Sequence, residues 1–217
     1  MYPQRSGVLR HLSAVALALA ILAPSASAAS AGCAPAGARV LRASKLARVY
    51  AAGTTLYGCT GGYTAKLGAL RGTAPAPATR ITRYLLAGRY VAFDTVAMGV
   101  DTLNSTVTLI DLANGVRADS PAAPAPPRPE SFRTVTQMAV DADGIVAWIA
   151  QSSAIGLPKP SYYVRALSAT VSFGRHISGA QPTALRLRGH RLSWRKGPDG
   201  PTTITTIPTG VVHHRLN

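Results

Sequence analysis

Acid is what this 217-residue chain has least of: one glutamate, Glu130, and seven aspartates stand against 23 lysines and arginines. So few carboxylates leave few ways to assemble a general acid/base pair. Two cysteines, with no histidine at ligand spacing, exclude a thiolate zinc site. Beyond the N-terminus there is no long run with apolar residues three and four apart, which excludes a helical solenoid. No G-x-S-x-G elbow, Walker sequence or G-x-G-x-x-G occurs, so neither an α/β-hydrolase nucleophile nor a nucleotide cofactor site is expected. Ser193-Trp194-Arg195-Lys196 matches S-x-x-K as a string only, because strand alternation sends Ser193 and Lys196 to opposite faces.

At the N-terminus, Arg5, Arg10 and His11 precede an apolar run from Ala14 to Ala23, ended by Pro24 and followed by Ala26-Ser27-Ala28. A basic start, a short apolar run and small residues at a cleavage position are the pattern of a secretory signal over residues 1–28. The expected mature chain, 29–217, is then one domain in the cell envelope or the medium.

Cysteine use agrees with export. In an oxidising compartment Cys33 and Cys59 most simply pair, closing a loop worth about 3 kcal/mol. The competing reading makes Cys33 a lipid-modified N-terminus. Ser30-Ala31-Gly32-Cys33 has the small residues of a lipobox but lacks its aliphatic one, and lipidation would leave Cys59 unpaired.

The stretch from Tyr84 to Arg117 organises the rest. Gly88 separates two apolar runs, and Tyr90-Val91-Ala92-Phe93 has strand composition. Val107 to Leu112 reads as another strand, and Asn114-Gly115 as a tight hairpin with positive φ angles. The glycine-to-aromatic step recurs. Gly53 leads to Tyr57, Gly88 to Phe93, Gly144 to Trp148 and Gly189 to Trp194, with the aromatics 36, 55 and 46 residues apart. This spacing predicts four antiparallel sheet repeats at about 38–71, 80–117, 131–170 and 182–208. A loop is expected at 72–79 and a proline-rich one at 118–130, where proline cannot join a sheet ladder. Further strands are expected at Tyr162–Leu167 and Thr202–Ile207, each after a glycine- and proline-bearing turn.

Four glycine-aromatic strands, the Asp111-Leu112-Ala113-Asn114-Gly115 hairpin and Asp143-Gly144 together resemble blades of a β-propeller, of the TolB-like and WD-type repeats of secreted bacterial proteins. The resemblance is one of pattern over roughly residues 38–208. It departs from the family in blade number and in the WD dipeptides, with Gly189-His190 a lone partial match. It implies an all-β, propeller-like scaffold whose loops bind something, and a β-sandwich is the alternative.

The formal charge of +15 is carried by 19 arginines and 4 lysines, Arg5 and Arg10 among them. A surface of this sign attracts anionic envelope polymers. Its densest patch is Arg186, Arg188, Arg191, Arg195 and Lys196, where leucines alternate with arginines so that Arg186, Arg188, Arg191 and Arg195 share one sheet face. That face is either simply solvated or an anion-binding surface. Trp194 falls on the other side, which argues against nucleic acid.

Asp94, Asp101 and Asp111 form one loose group, and Asp141 with Asp143 a D-x-D-G turn followed by apolar residues, which suits a turn better than calcium. Two function classes follow. One is an exported, non-enzymatic binding module whose partner is an anionic envelope polymer or another protein. The other is a hydrolase or lyase acting on envelope polysaccharide, which requires two of these aspartates to line one cleft about 5–10 Å apart. No cofactor or metal is expected in either.

Overall fold

The computed structural model describes residues 33–71, 78–124, 131–156 and 159–208. The expected signal segment 1–28 and Glu130 lie outside them. All regular structure among the described residues is β, in fifteen strands. The first four are β1 (Arg39–Ala43), β2 (Arg48–Ala52), β3 (Thr55–Cys59) and β4 (Thr64–Ala69). The next four are β5 (Ala78–Ala87), β6 (Tyr90–Met98), β7 (Leu103–Asp111) and β8 (Arg117–Pro121). Then come β9 (Ser131–Val140), β10 (Val146–Ala154), β11 (Ser161–Leu167) and β12 (Ser172–Ile177). The last three are β13 (Pro182–Arg188), β14 (Arg191–Lys196) and β15 (Thr202–Thr206).

Each of these four groups is an antiparallel meander, and the described residues form three sheets, none closed into a barrel. Strands β1–β4 and β13–β15 form separate sheets, whereas the second and third groups share one. Their link is a two-residue parallel step, Leu103 to Phe132 and Asn104 to Arg133. It leaves the far end of β7 free to pair with β8.

Apolar residues on facing sheets build three successive cores. Val49, Leu56 and Leu67 of the first meander meet Val91, Phe93 and Ile110 of the second. From its other face the second sends Ala92, Val107 and Leu109 against Val146, Trp148 and Leu167 of the third. Ile149 and Val164, on the opposite face of the third, pack on Leu192 and Trp194 of the fourth. The middle strands β6 and β10 are therefore buried on both sides, which is why their apolar runs do not alternate. In β13 and β15, which have one free face, partly buried and exposed positions do alternate.

Tight turns explain the recurrent glycines. Two-residue hairpins Gly53-Thr54, Gly88-Arg89 and Gly189-His190 each place glycine at positive φ in the first turn position, the geometry that matches strand twist. The shared hairpin chemistry misaligns one expected repeat. Phe93, Trp148 and Trp194 lie on second strands of their meanders, but Tyr57 lies on a third. In the first meander the second-strand aromatic is Tyr50, stacked on Tyr57 with centroids 5.3 Å apart.

Three other expectations need correction. Asn114-Gly115 is no two-residue hairpin: Asp111 pairs with Val116 around a longer loop in which, of these two residues, only Gly115 has positive φ. The Asp111 carboxylate accepts the Ala113 N–H and the Asn114 side chain accepts the Val116 N–H, so side chains close the loop. Ala78 and Thr79 belong to β5 rather than to a loop. Ala118 to Pro121 belong to β8, where Pro121 is tolerated as the last residue of a strand paired on one side only.

Candidate functional site

Turns between first and second strands, and between third and fourth, lie at one end of the stack, and there they surround a cavity of about 440 Å³. Its floor is apolar, from Leu109, Ala118, Ile145, Val171 and Ile207, with exposed Val116 at the edge. Its rim is polar: Tyr90, Asp111, Asn114, Asp143, Ser168, Thr170 and His190. The second, third and fourth meanders all contribute, so no single repeat contains the site. The volume and the mix of apolar floor with a few convergent polar groups are those of a small-ligand pocket.

Local chemistry holds each rim residue in place. Tyr90 packs against Gly144, where a Cβ would come within 2.7 Å of the ring. Arg89 bridges to Asp111 at 2.9 Å and donates to the Tyr90 hydroxyl at 3.1 Å. The other Asp111 oxygen holds the Ala113 N–H. In the next turn, one Asp141 oxygen accepts the N–H groups of Asp143 and Ile145, each at 3.1 Å. Its second oxygen is buried without a hydrogen bond. Burial, with the charge of Asp143, raises the Asp141 carboxyl above its usual range, against the turn N–H groups and His190. His190 is carried beside this turn by the Gly189 hairpin, and its carbonyl accepts the Ile207 N–H at 2.7 Å.

The structure thus brings Asp111 and Asp143 to one cavity, with Asp141 behind the rim, and separates them from the other aspartates. Asp94 sits midway along β6, lining a different cleft, and Asp101 is exposed in the β6–β7 turn. Of the three carboxylates at the cavity, Asp111 and Asp141 are engaged in turns, and Asp143 alone has no side-chain hydrogen bond among the described residues. Among those residues there is no group of three or more histidine, cysteine or acidic side chains placed to hold a metal. Sequence reading missed Tyr90, Asn114, Ser168 and Thr170 as rim residues. The only available signal was their position in or beside turns, which does not say which turns meet.

Arg186, Arg188, Arg191 and Arg195 are exposed on the outer face of the last sheet, with Ser193, Thr202 and Thr206 among them by register. Lys196 is on the opposite face, beside Trp194 and near Arg175 and His176. Cys33 and Cys59 form a disulfide. A sulfur so bonded cannot carry a thioether-linked lipid, so the lipoprotein alternative for Cys33 falls away. The bond suits an oxidising compartment. Among the described residues no helix is long and apolar enough to cross a membrane.

What the fold defines is an all-β protein of stacked antiparallel meanders. No protein-family model matches the chain, and no curated protein matches it. Among solved structures, the endo-arabinase from Bacteroides thetaiotaomicron VPI-5482 aligns over 77% of this chain and 72% of its own, at a TM-score of 0.32 and 12% identity. A likeness that distant supports no inference about fold or function.

Proposed function

We propose that the chain is an exported, non-enzymatic binding module of the cell envelope, and that its loop-end cavity takes a sugar unit of an envelope polysaccharide. One observation carries the reading: turns of three meanders converge on a cavity rimmed by carboxylate, amide and hydroxyl groups beside Tyr90, above an apolar floor. Such groups match the hydroxyls of a saccharide, and aromatic and aliphatic surface matches its C–H face. The scaffold is taken as four propeller-like blades, supported by the way each meander packs its face on the next. A sandwich of the same sheets is the second possibility. Export rests on the N-terminal signal pattern and the disulfide.

Asp111 and Asp143 also line the cavity together, which keeps the hydrolase reading in play as a second proposal. Both are tested by titrating the secreted protein with soluble peptidoglycan fragments and neutral hexose oligomers while assaying new reducing ends. Saturable binding without cleavage, weakened at least tenfold in His190→Ala and in Asp143→Ala, is the expected outcome. Cleavage lost in Asp143→Asn would establish the enzyme instead. Absence of binding, or binding indifferent to both substitutions, would overturn the module.

A further inference from the structure

A second cleft, of about 210 Å³, opens at the other half of the second meander, where β5, β6 and β7 meet β9. Its construction starts with a bulge. Ile81 pairs with Thr95 and Arg83 with Asp94, so Thr82 is an extra residue in β5. The bulge turns the Thr82 hydroxyl to donate to Asp94 Oδ2 at 2.5 Å. Asp94 and Ser105 are each only 2% exposed, yet Asp94 Oδ1 and Ser105 Oγ have no hydrogen bond. Ser105 stands near enough to favour the Asp94 anion but outside hydrogen-bonding geometry. Two buried polar atoms without partners on one wall are costly to the fold and call for an explanation.

The neighbouring strand β5 supplies charge, with Arg83 directly across from Asp94 in register. Arg80 and Arg83 line the same cleft, and neither is in an ion pair among the described residues. Two guanidinium groups beside one carboxylate disfavour a metal cation and favour an anion. The carboxylate in turn requires a hydrogen-bond donor. A ligand satisfying both the arginines and the carboxylate carries a hydroxyl next to an anionic group, and the volume admits one such unit.

We propose that this cleft binds a hydroxylated anion, with a ligand hydroxyl donating to Asp94 Oδ1 and accepting from Ser105, and its anionic group on Arg80 and Arg83. A uronate and a polyol phosphate share that chemistry. The site is separate from the loop-end cavity and has no residue in common with it. Isothermal titration of the secreted protein uses galacturonate and glycerol 3-phosphate, with galactose and glycerol as uncharged counterparts. At least one anion binds, at least tenfold more tightly than its counterpart; which of them does so distinguishes the two sources. In Arg80→Gln/Arg83→Gln the affinity falls at least tenfold, in Ser105→Ala about threefold or more, and in His190→Ala it is unchanged. The proposal is overturned if neither anion binds, if the uncharged counterpart binds equally well in His190→Ala, where the loop-end cavity is impaired, or if the arginine double variant retains affinity. Loss in His190→Ala would also overturn it, since the ligand would then occupy the loop-end cavity.

Discussion

At the scale of single residues, the costs of this fold are concentrated in a few buried polar groups. Arg165 is 5% exposed, donates to the Pro121 carbonyl at 2.7 Å and lies 5.6 Å from the Trp148 ring centre. Burial lowers its pKa, and the carbonyl and ring stand in for a carboxylate partner. Trp148 donates to the Ala122 carbonyl at 2.7 Å, so both side chains tie the end of β8 to the third meander. Asp94 is the clearer test. Burial raises its pKa, against the hydroxyls of Thr82 and Ser105 and the charge of Arg83. A carboxyl whose pKa is higher folded than unfolded holds its proton more tightly in the native state. The fold therefore loses stability as pH rises from the unfolded value, about 4, through the raised one. Asp94→Asn removes the titration and keeps an acceptor for Thr82. Urea midpoints should show the variant more stable than wild type at pH 7, with the difference shrinking as pH falls toward 4. A gap that is constant, or that widens in acid, would mean burial is not what sets this carboxyl.

At the scale of strands and turns, close approach between meanders depends on absent side chains. Gly58 in β3 lies under Leu112, which is fully buried in the β7–β8 loop; a Cβ there would come within 2.9 Å of Leu112 Cδ2. Thr60 adds a hydroxyl donated to the Leu112 carbonyl at 3.0 Å, so the loop that rims the cavity is anchored to the first meander at this point. Gly58→Ala should destabilise by about 1–3 kcal/mol through overpacking, and Leu112→Val should recover part of it in the double variant. Chemical denaturation of the four proteins checks this: strictly additive effects would show that the two residues do not share the strain. The last sheet shows a different tension. Arg188 pairs with Arg191 across the Gly189-His190 hairpin, a like-charge pair that solvent exposure makes tolerable. Ala184, at φ 53° in the β13 bulge, is the one non-glycine residue with positive φ among those described. Beside it the Leu185 N–H donates to the Gln137 side chain at 3.0 Å, tying the bulge to β9.

At the scale of the molecule, the stack is held by three cores in series and by one covalent tie at its start. Cys33 and Cys59 are 26 residues apart, and loop closure at that separation is worth about 3 kcal/mol. Cys33→Ser/Cys59→Ser should lower unfolding stability by about that amount, and reductant should do the same to wild type. Unchanged urea midpoints in both would mean the tie contributes nothing to the fold. No core joins the fourth meander to the first among the described residues, and the outer arginine face remains exposed.

All-β structure, the paired cysteines and the D-x-D-G turn at Asp141 were legible in the sequence because each rests on contacts between near neighbours or on composition. The arginine face of β13 and β14 was legible too, since one free side leaves a plain alternation. Tyr57 was misplaced because a glycine hairpin is the same local signal whichever strands it joins. The loop-end cavity and the Asp94 cleft were not legible. Tyr90, Asp143 and His190 meet only because three meanders stack in order, and Asp94 meets Ser105 and Arg80 only through register and a bulge. Local sequence determined the strands and the turns between them; long-range packing, which no short window encodes, decided which turns face one another and so where a ligand can bind.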